Sequence, residues 1–155
     1  MSESAPNVLV VTQRFPPEKG GNASRMGDLT QHVASETELT VVAPPPCYPA
    51  NEFSWSWDRI TRESRDGHSV VRLWAWQLRT VDPSFIERML YYFTFVVHTV
   101  LWLAWHRREY DVVLTTSPPL FTGMVALPFS WFGSMQWILD IRDLWIDVSA
   151  DLGFI

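Results

Sequence analysis

Cysteine is nearly absent from this sequence: Cys47 stands alone among 155 residues. A lone cysteine excludes an internal disulfide and a cysteine-rich zinc site, and it fits a reducing compartment and a structural role. Lysine is equally scarce, with Lys19 set against eleven arginines, and charged residues together reach only 19%. The formal net charge of −5 argues against a nucleic-acid footprint, which would be basic. The opening "MSESAPNVLVV" has no basic leader and only a four-residue apolar run, so no secretory signal is expected and the active surface is read as cytoplasmic. The four histidines, His32, His68, His98 and His106, show no metal spacing. No Ser/His/Asp or Cys/His arrangement is legible, which leaves hydrolysis by a triad without support.

What the chain does have is apolar and aromatic. Hydrophobic residues make up 47% and aromatics 14%, with nine tryptophans. This is a folding composition, and the length suits about one domain with a real core.

Short β-branched runs alternate with helical patterns. "NVLVV" (Asn7 to Val11) reads as a buried parallel strand. A turn at Gly20, Gly21 and Asn22 follows, then a helix from Ala23 to Ser35, with Asn22 or Ser24 as its cap. "ELTVVAP" (Glu38 to Pro44) is a second buried strand, and the three elements have the size of a βαβ unit. A Pro- and aromatic-rich loop, Pro44 to Trp57, leads into a hairpin that turns at Asp66–Gly67. Between Pro83 and Arg108 the pattern is helical. Further strands are expected at Asp111 to Thr115 and Met135 to Ile141, with a helical segment around Pro128 between them. The predicted fold class is therefore α/β, a Rossmann-like parallel sheet flanked by helices. In such sheets ligands bind beyond the carboxyl ends of the strands. Four loops fall there: Gly20 to Arg25, Pro44 to Tyr48, Ser117 to Pro119, and Asp140 to Asp147.

The run Met89 to Trp105 holds seventeen residues without a formal charge, flanked by Glu87–Arg88 and Arg107–Arg108. A span needs about 20 apolar residues. Three readings compete: a helix lying on or dipping into the membrane surface, a buried helix of the domain, and a true span. The first leads. A span would put strands of one sheet on opposite sides of a bilayer.

Three constellations could carry chemistry. Adjacent Gly20 and Gly21 let a backbone approach a ligand and present N–H groups from a helix N-terminus, and Arg25 could add a contact to an oxyanion. The pattern is neither GxGxxG nor a P-loop, and an ordinary turn is the competing reading. In "LDIRDLWID", Asp140, Arg142 and Asp143 leave a strand end and Trp145 follows. A carboxylate there could accept a proton or orient a sugar, and an arginine could neutralise phosphate. The alternative is an Arg–Asp pair that ties the strand end down. In "TTSPP", Ser117 could line a pocket, or the segment could be a stiff turn.

"VLVVTQRFPPEKGGNASRMGDL", "VVAPPPCYP", "DVVLTTSPPLFTG" and "LDIRDLWIDVSADLG", in that order, resemble the N-terminal domain of glycosyltransferase family four. The similarity is to the subgroup that builds amino-sugar-containing surface polysaccharides. It covers Val8 to Gly153. The resemblance implies the GT-B fold and a retaining hexosyltransferase-type activity. The donor would be a nucleotide-sugar, with no metal or other cofactor. Residues 1–155 would be a single Rossmann-like, acceptor-side domain; the C-terminal donor-binding domain, with its paired glutamates, is not in this sequence and would have to come from a missing domain or a partner chain. Gly20, Gly21 and, by its place in the loop, Arg25 would face the donor diphosphate. Arg142 and Asp143 fall where many relatives place a histidine near the sugar, and are the catalytic candidates. Ser117, Asp140 and Trp145 would contact acceptor or sugar. Asp140 and Ile146 stand where the subgroup commonly shows Glu and Pro. The acceptor would be a lipid-linked or growing glycan, with the domain peripheral on the inner face of the cell membrane through residues 89–105. On its own the chain is expected to be inactive. The rival from another class is a non-catalytic subunit that recruits a donor-binding chain to the membrane.

Overall fold

The structure, a computed structural model, describes residues 5–132 and 135–142. Its centre is a six-stranded sheet: β1 (Asn7–Val11), β2 (Glu38–Ala43), β3 (Ile60–Arg65), β4 (His68–Leu73), β5 (Val112–Ser117) and β6 (Gln136–Ile141). The strand order is β3-β4-β2-β1-β5-β6. All neighbours are parallel except β3 and β4, which form an antiparallel hairpin at one edge. Its turn is Asp66–Gly67, and both residues adopt positive φ, as a two-residue hairpin turn requires.

Val8 to Val11 are all buried, because helices cover both faces of the sheet. On one face α1 (Gly21–Ala34) buries Ala23, Met26 and Thr30, at helical spacing. Here Met26 packs with Val8, Val10, Phe15, Val41 and Val70. On the other face α2 (Phe85–His106) buries Tyr91, Phe95, Thr99, Trp102 and Leu103 against Leu9, Val11, Val42 and Leu73. Each fully buried side chain of this size contributes about 1.5–3 kcal/mol. The helix opens with a capping box, in which the Ser84 side chain accepts from the Glu87 N–H and Glu87 reaches back. Two short helices, α3 (Leu120–Gly123) and α4 (Leu127–Phe132), flank a 3₁₀ turn and carry the chain from β5 to β6.

Two expectations need correction. The first helix starts at Gly21, and its N-cap is Gly20, with no side-chain cap from Asn22 or Ser24. The strand expected at Asp111 to Thr115 runs on through Ser117, so Thr116 and Ser117 belong to the sheet and not to a loop. Among the described residues no helix is long and apolar enough to cross a membrane, which agrees with the last place given to a span; α2 lies against the sheet with one face buried and the other exposed.

Candidate functional site

Parallel strands put their carboxyl ends on one edge, and the loops there meet. The loop after β1 is held by Glu18, which is only 6% exposed. Its Oε1 accepts the backbone N–H groups of Cys47 at 2.8 Å and Tyr48 at 3.0 Å, and Arg14 Nη1 at 2.8 Å. One carboxylate thus ties the loop after β1 to the loop after β2. Arg14 also lies over the Tyr48 and Tyr91 rings. Buried Arg72 adds a second tie from β4, donating to the carbonyls of Pro44 and Pro16 and to Glu63.

So held, the chain turns into α1 at Gly20, whose φ of 129° and ψ of 157° suit only glycine. No side chain caps the helix and its first turn has no acid, so its positive end is not neutralised from within. Arg14, Lys19, Gly20, Gly21, Asn22 and Tyr48 line a cavity of about 210 Å³ at this point. Nothing lies within 4 Å of a Cβ added at Gly21.

Residues from the far end of the sheet arrive beside it. Arg142, just past β6, donates to the Asn22 Oδ1 on the first turn of α1 and to Asp140 Oδ2. Asp140 Oδ2 is also 3.2 Å from Arg25 Nη2. Arg25 opens the second turn of α1 and points to Asp140; it is not among the residues lining the glycine cavity. Two arginines therefore share one carboxylate, leaving an excess positive charge next to the uncapped helix end. Ser117 is buried at the end of β5, paired in register with Ile141. Asp143 and Trp145 lie outside the described residues.

Between these groups the edge is polar and largely satisfied. Thr116 donates to Thr12, and Thr122 donates to Gln13 Oε1. The Tyr91 hydroxyl donates to the Gln13 carbonyl, while Gln13 Nε2 is buried without a partner among the described residues. Burial pushes the Tyr91 hydroxyl well above its ordinary range and the Cys47 thiol upward. Both are neutral near pH 7, so Cys47 is not a thiolate nucleophile.

The glycine turn and the Asp140–Arg142 segment, two separate signals in the sequence, are thus one polar cluster. Arg14 and Glu18 give no separate signal, while Asn22 reads as a turn residue and helix cap and Tyr48 only as the end of a loop on this edge. Glu18 between two prolines and a lysine reads as a solvated loop residue, and its burial depends on a loop thirty residues away.

No protein-family model and no curated protein matches the chain. Among solved structures, a sucrose-phosphate synthase from Thermosynechococcus elongatus is similar over 94% of this chain, with a TM-score of 0.59 at 12% sequence identity. The chain spans 35% of that protein's length. Likeness at this identity establishes shared fold. The mostly parallel six-stranded sheet flanked by helices is the Rossmann-like α/β class expected from the sequence.

Proposed function

We propose that this chain is the acceptor-side half of a retaining glycosyltransferase that moves a sugar from a nucleotide-sugar to a lipid-linked or growing glycan. The observation that carries the reading is the bridge from Arg142 to Asn22, which joins the strand-end charges to an uncapped glycine turn. A helix N-terminus with a nearby cationic excess suits the donor diphosphate. Gly20 and Gly21 would let it approach, and Arg142 with Asp140 would stand near the transferred sugar, Asp143 following in sequence. Arg25 would act through Asp140. A donor-binding partner, as a separate chain or a further domain, completes the site, and neither a metal nor another cofactor is part of the reading. The sequence resemblance to family four, and to its amino-sugar polysaccharide subgroup, supports the same class. The test is nucleotide-sugar turnover by this chain with and without a co-expressed donor-binding partner. Turnover only in the pair is expected; robust turnover by the 155-residue chain alone would overturn the half-enzyme reading.

A specific observation favours the second reading, recruitment to the inner face of the membrane. The solvent side of α2 carries Ile86, Leu90, Phe93, Val97, Leu101 and Trp105, all exposed, at spacings of three and four. An uninterrupted apolar stripe of this kind suits an interfacial helix. The two readings are compatible, and a Gly21→Trp change that abolishes turnover in the co-expressed pair separates them from a purely non-catalytic role.

A further inference from the structure

Four of the nine tryptophans gather at one place, beyond the carboxyl end of β4. Trp74 and Trp76 follow that strand, and Trp55 and Trp57 precede β3. Trp57 lies against Trp74 with ring centroids 5.9 Å apart and planes 13° from parallel. Trp55 meets Trp57 at 5.2 Å and Trp76 at 5.3 Å. The arrangement is braced by hydrogen bonds. Gln77 exchanges two with Ser56, its Nε2 donating to the carbonyl at 2.7 Å and its Oε1 accepting from the N–H at 3.0 Å. Trp74 Nε1 donates to the same Ser56 carbonyl.

Two adjoining cavities, about 450 and 320 Å³, share Trp55, Gln77 and Arg79 as lining. Trp57 also lines the smaller one and is 72% exposed despite being braced. Large, rigid aromatic surface left in water at a mixed polar cleft is costly unless something covers it. Trp55 Nε1 is buried without a hydrogen-bond partner among the described residues. The Arg79 guanidinium lies 5.0 Å from the Trp55 ring centroid and forms no ion pair among the described residues.

The geometry points to a glycan-binding subsite here, with a pyranose ring stacked on Trp57 and an acidic substituent of the glycan met by Arg79. A pyranose has an apolar C–H face and a rim of hydroxyls, which suits an aromatic plane beside polar groups. Arg79 already occupies the cation position on Trp55, so a quaternary ammonium ligand is disfavoured. The Glu87 carboxylate at the smaller cavity is taken up by the Ser84 N–H and hydroxyl, so an anion-bearing ligand is favoured on the Arg79 side, in the larger cavity that Glu87 does not line. The cleft opens on the same sheet edge as the glycine turn, separated from it by the loop that Glu18 holds. A growing chain could therefore lie along the edge with its reacting end near α1. The inference rests on the acceptor-side reading and adds a substrate class, an acidic glycan.

The experiment is titration of the 155-residue chain with a hyaluronan tetrasaccharide, followed by the indole N–H resonances of Trp55 and Trp57. Shifts of those resonances are expected, with Trp57→Ala weakening binding about tenfold or more and Arg79→Ala removing the preference over the neutral chitin tetrasaccharide. Retained circular dichroism in both variants, whose side chains are exposed, keeps the comparison valid. No shift with either sugar overturns the subsite, as does response only to a proline-rich peptide, which would make the cleft a protein-docking groove. Equal affinity for the two sugars overturns the role of Arg79. Binding needs no donor, so sugar binding without transfer in the co-expressed pair would sink the transferase reading alone. Transfer without binding at the tryptophans would sink this inference alone.

Discussion

Glu18 Oε1 accepts the Cys47 backbone N–H at 2.8 Å, across twenty-nine residues of chain. The same oxygen holds Tyr48 and Arg14, so it fixes the approach to the glycine turn. Replacing it by alanine leaves a largely buried guanidinium and two N–H groups without partners. Glu18→Ala should cost about 3–5 kcal/mol. Glu18→Gln, which keeps an acceptor, should cost about 1–3 kcal/mol. Urea unfolding measures both.

The two glycines should respond differently. Gly20 sits in backbone space that only glycine occupies readily, so Gly20→Ala should lose about 1–3 kcal/mol. Gly21 is the first residue of α1, with open space around it. Gly21→Ala should be neutral or stabilising by up to about 1 kcal/mol, while Gly21→Trp should stay folded and lose donor turnover in the assembled enzyme. Thermal melts beside transfer assays separate the effects; wild-type turnover in Gly21→Trp would count against diphosphate proximity.

Asp140 serves two arginines of unequal burial. The Arg142 side chain is 10% exposed and that of Arg25 is 52% exposed. Arg25→Ala should cost about 0.2–1 kcal/mol and lose most of that effect in high salt. Asp140→Ala should cost about 1–3 kcal/mol, with little salt dependence, because it takes the carboxylate from the largely buried Arg142 and leaves that charge only the neutral Asn22 and Met26. Unfolding at two ionic strengths checks the contrast.

His68 is buried, with neither ring nitrogen partnered among the described residues. Burial holds its folded pKa below the ordinary 6.5, against the smaller pull of Asp66. The unfolded chain therefore takes up the proton first. Stability should be full above pH 6.5 and fall as the solution is acidified below it, until folded His68 also titrates. His68→Phe should flatten this part of the stability–pH curve. An unchanged slope would assign the loss to carboxylates.

The outer stripe of α2 should act on membranes and not on folding. Combining Phe93→Ser, Leu101→Ser and Trp105→Ser should leave the melting temperature nearly unchanged, since all three are exposed. It should also abolish co-sedimentation with anionic vesicles. Wild-type chain that fails to co-sediment would remove the membrane role.

The strands were legible because parallel sheets buried on both faces write themselves as short β-branched runs. "NVLVV" matches β1 residue for residue, and the Asp66–Gly67 turn fixed the hairpin. The start of α1 was not legible. Sequence rules look for a capping side chain, and here a glycine takes that position because the helix end is left open. The far end of β5 was hidden by Thr116 and Ser117, polar residues before two prolines; the Thr116 hydroxyl is satisfied inside the sheet edge by Thr12. In the polar cluster, Gly20, Gly21, Asp140 and Arg142 drew notice from their places at a strand end or in the loops beyond. Glu18, Arg14 and the tryptophan group could not, since each depends on contacts between segments distant in sequence.

The hairpin edge has a consequence for crowded solution. β3 reads Ile60-Thr61-Arg62-Glu63-Ser64-Arg65, and its acid, Glu63, is already taken by Arg72 on the neighbouring strand. A second copy laid along that edge would have to accommodate Arg62, Glu63 and Arg65, of which Glu63 and Arg65 already hold partners within this chain. The strand that would otherwise template sheet extension from molecule to molecule is blunted by its own charged side chains.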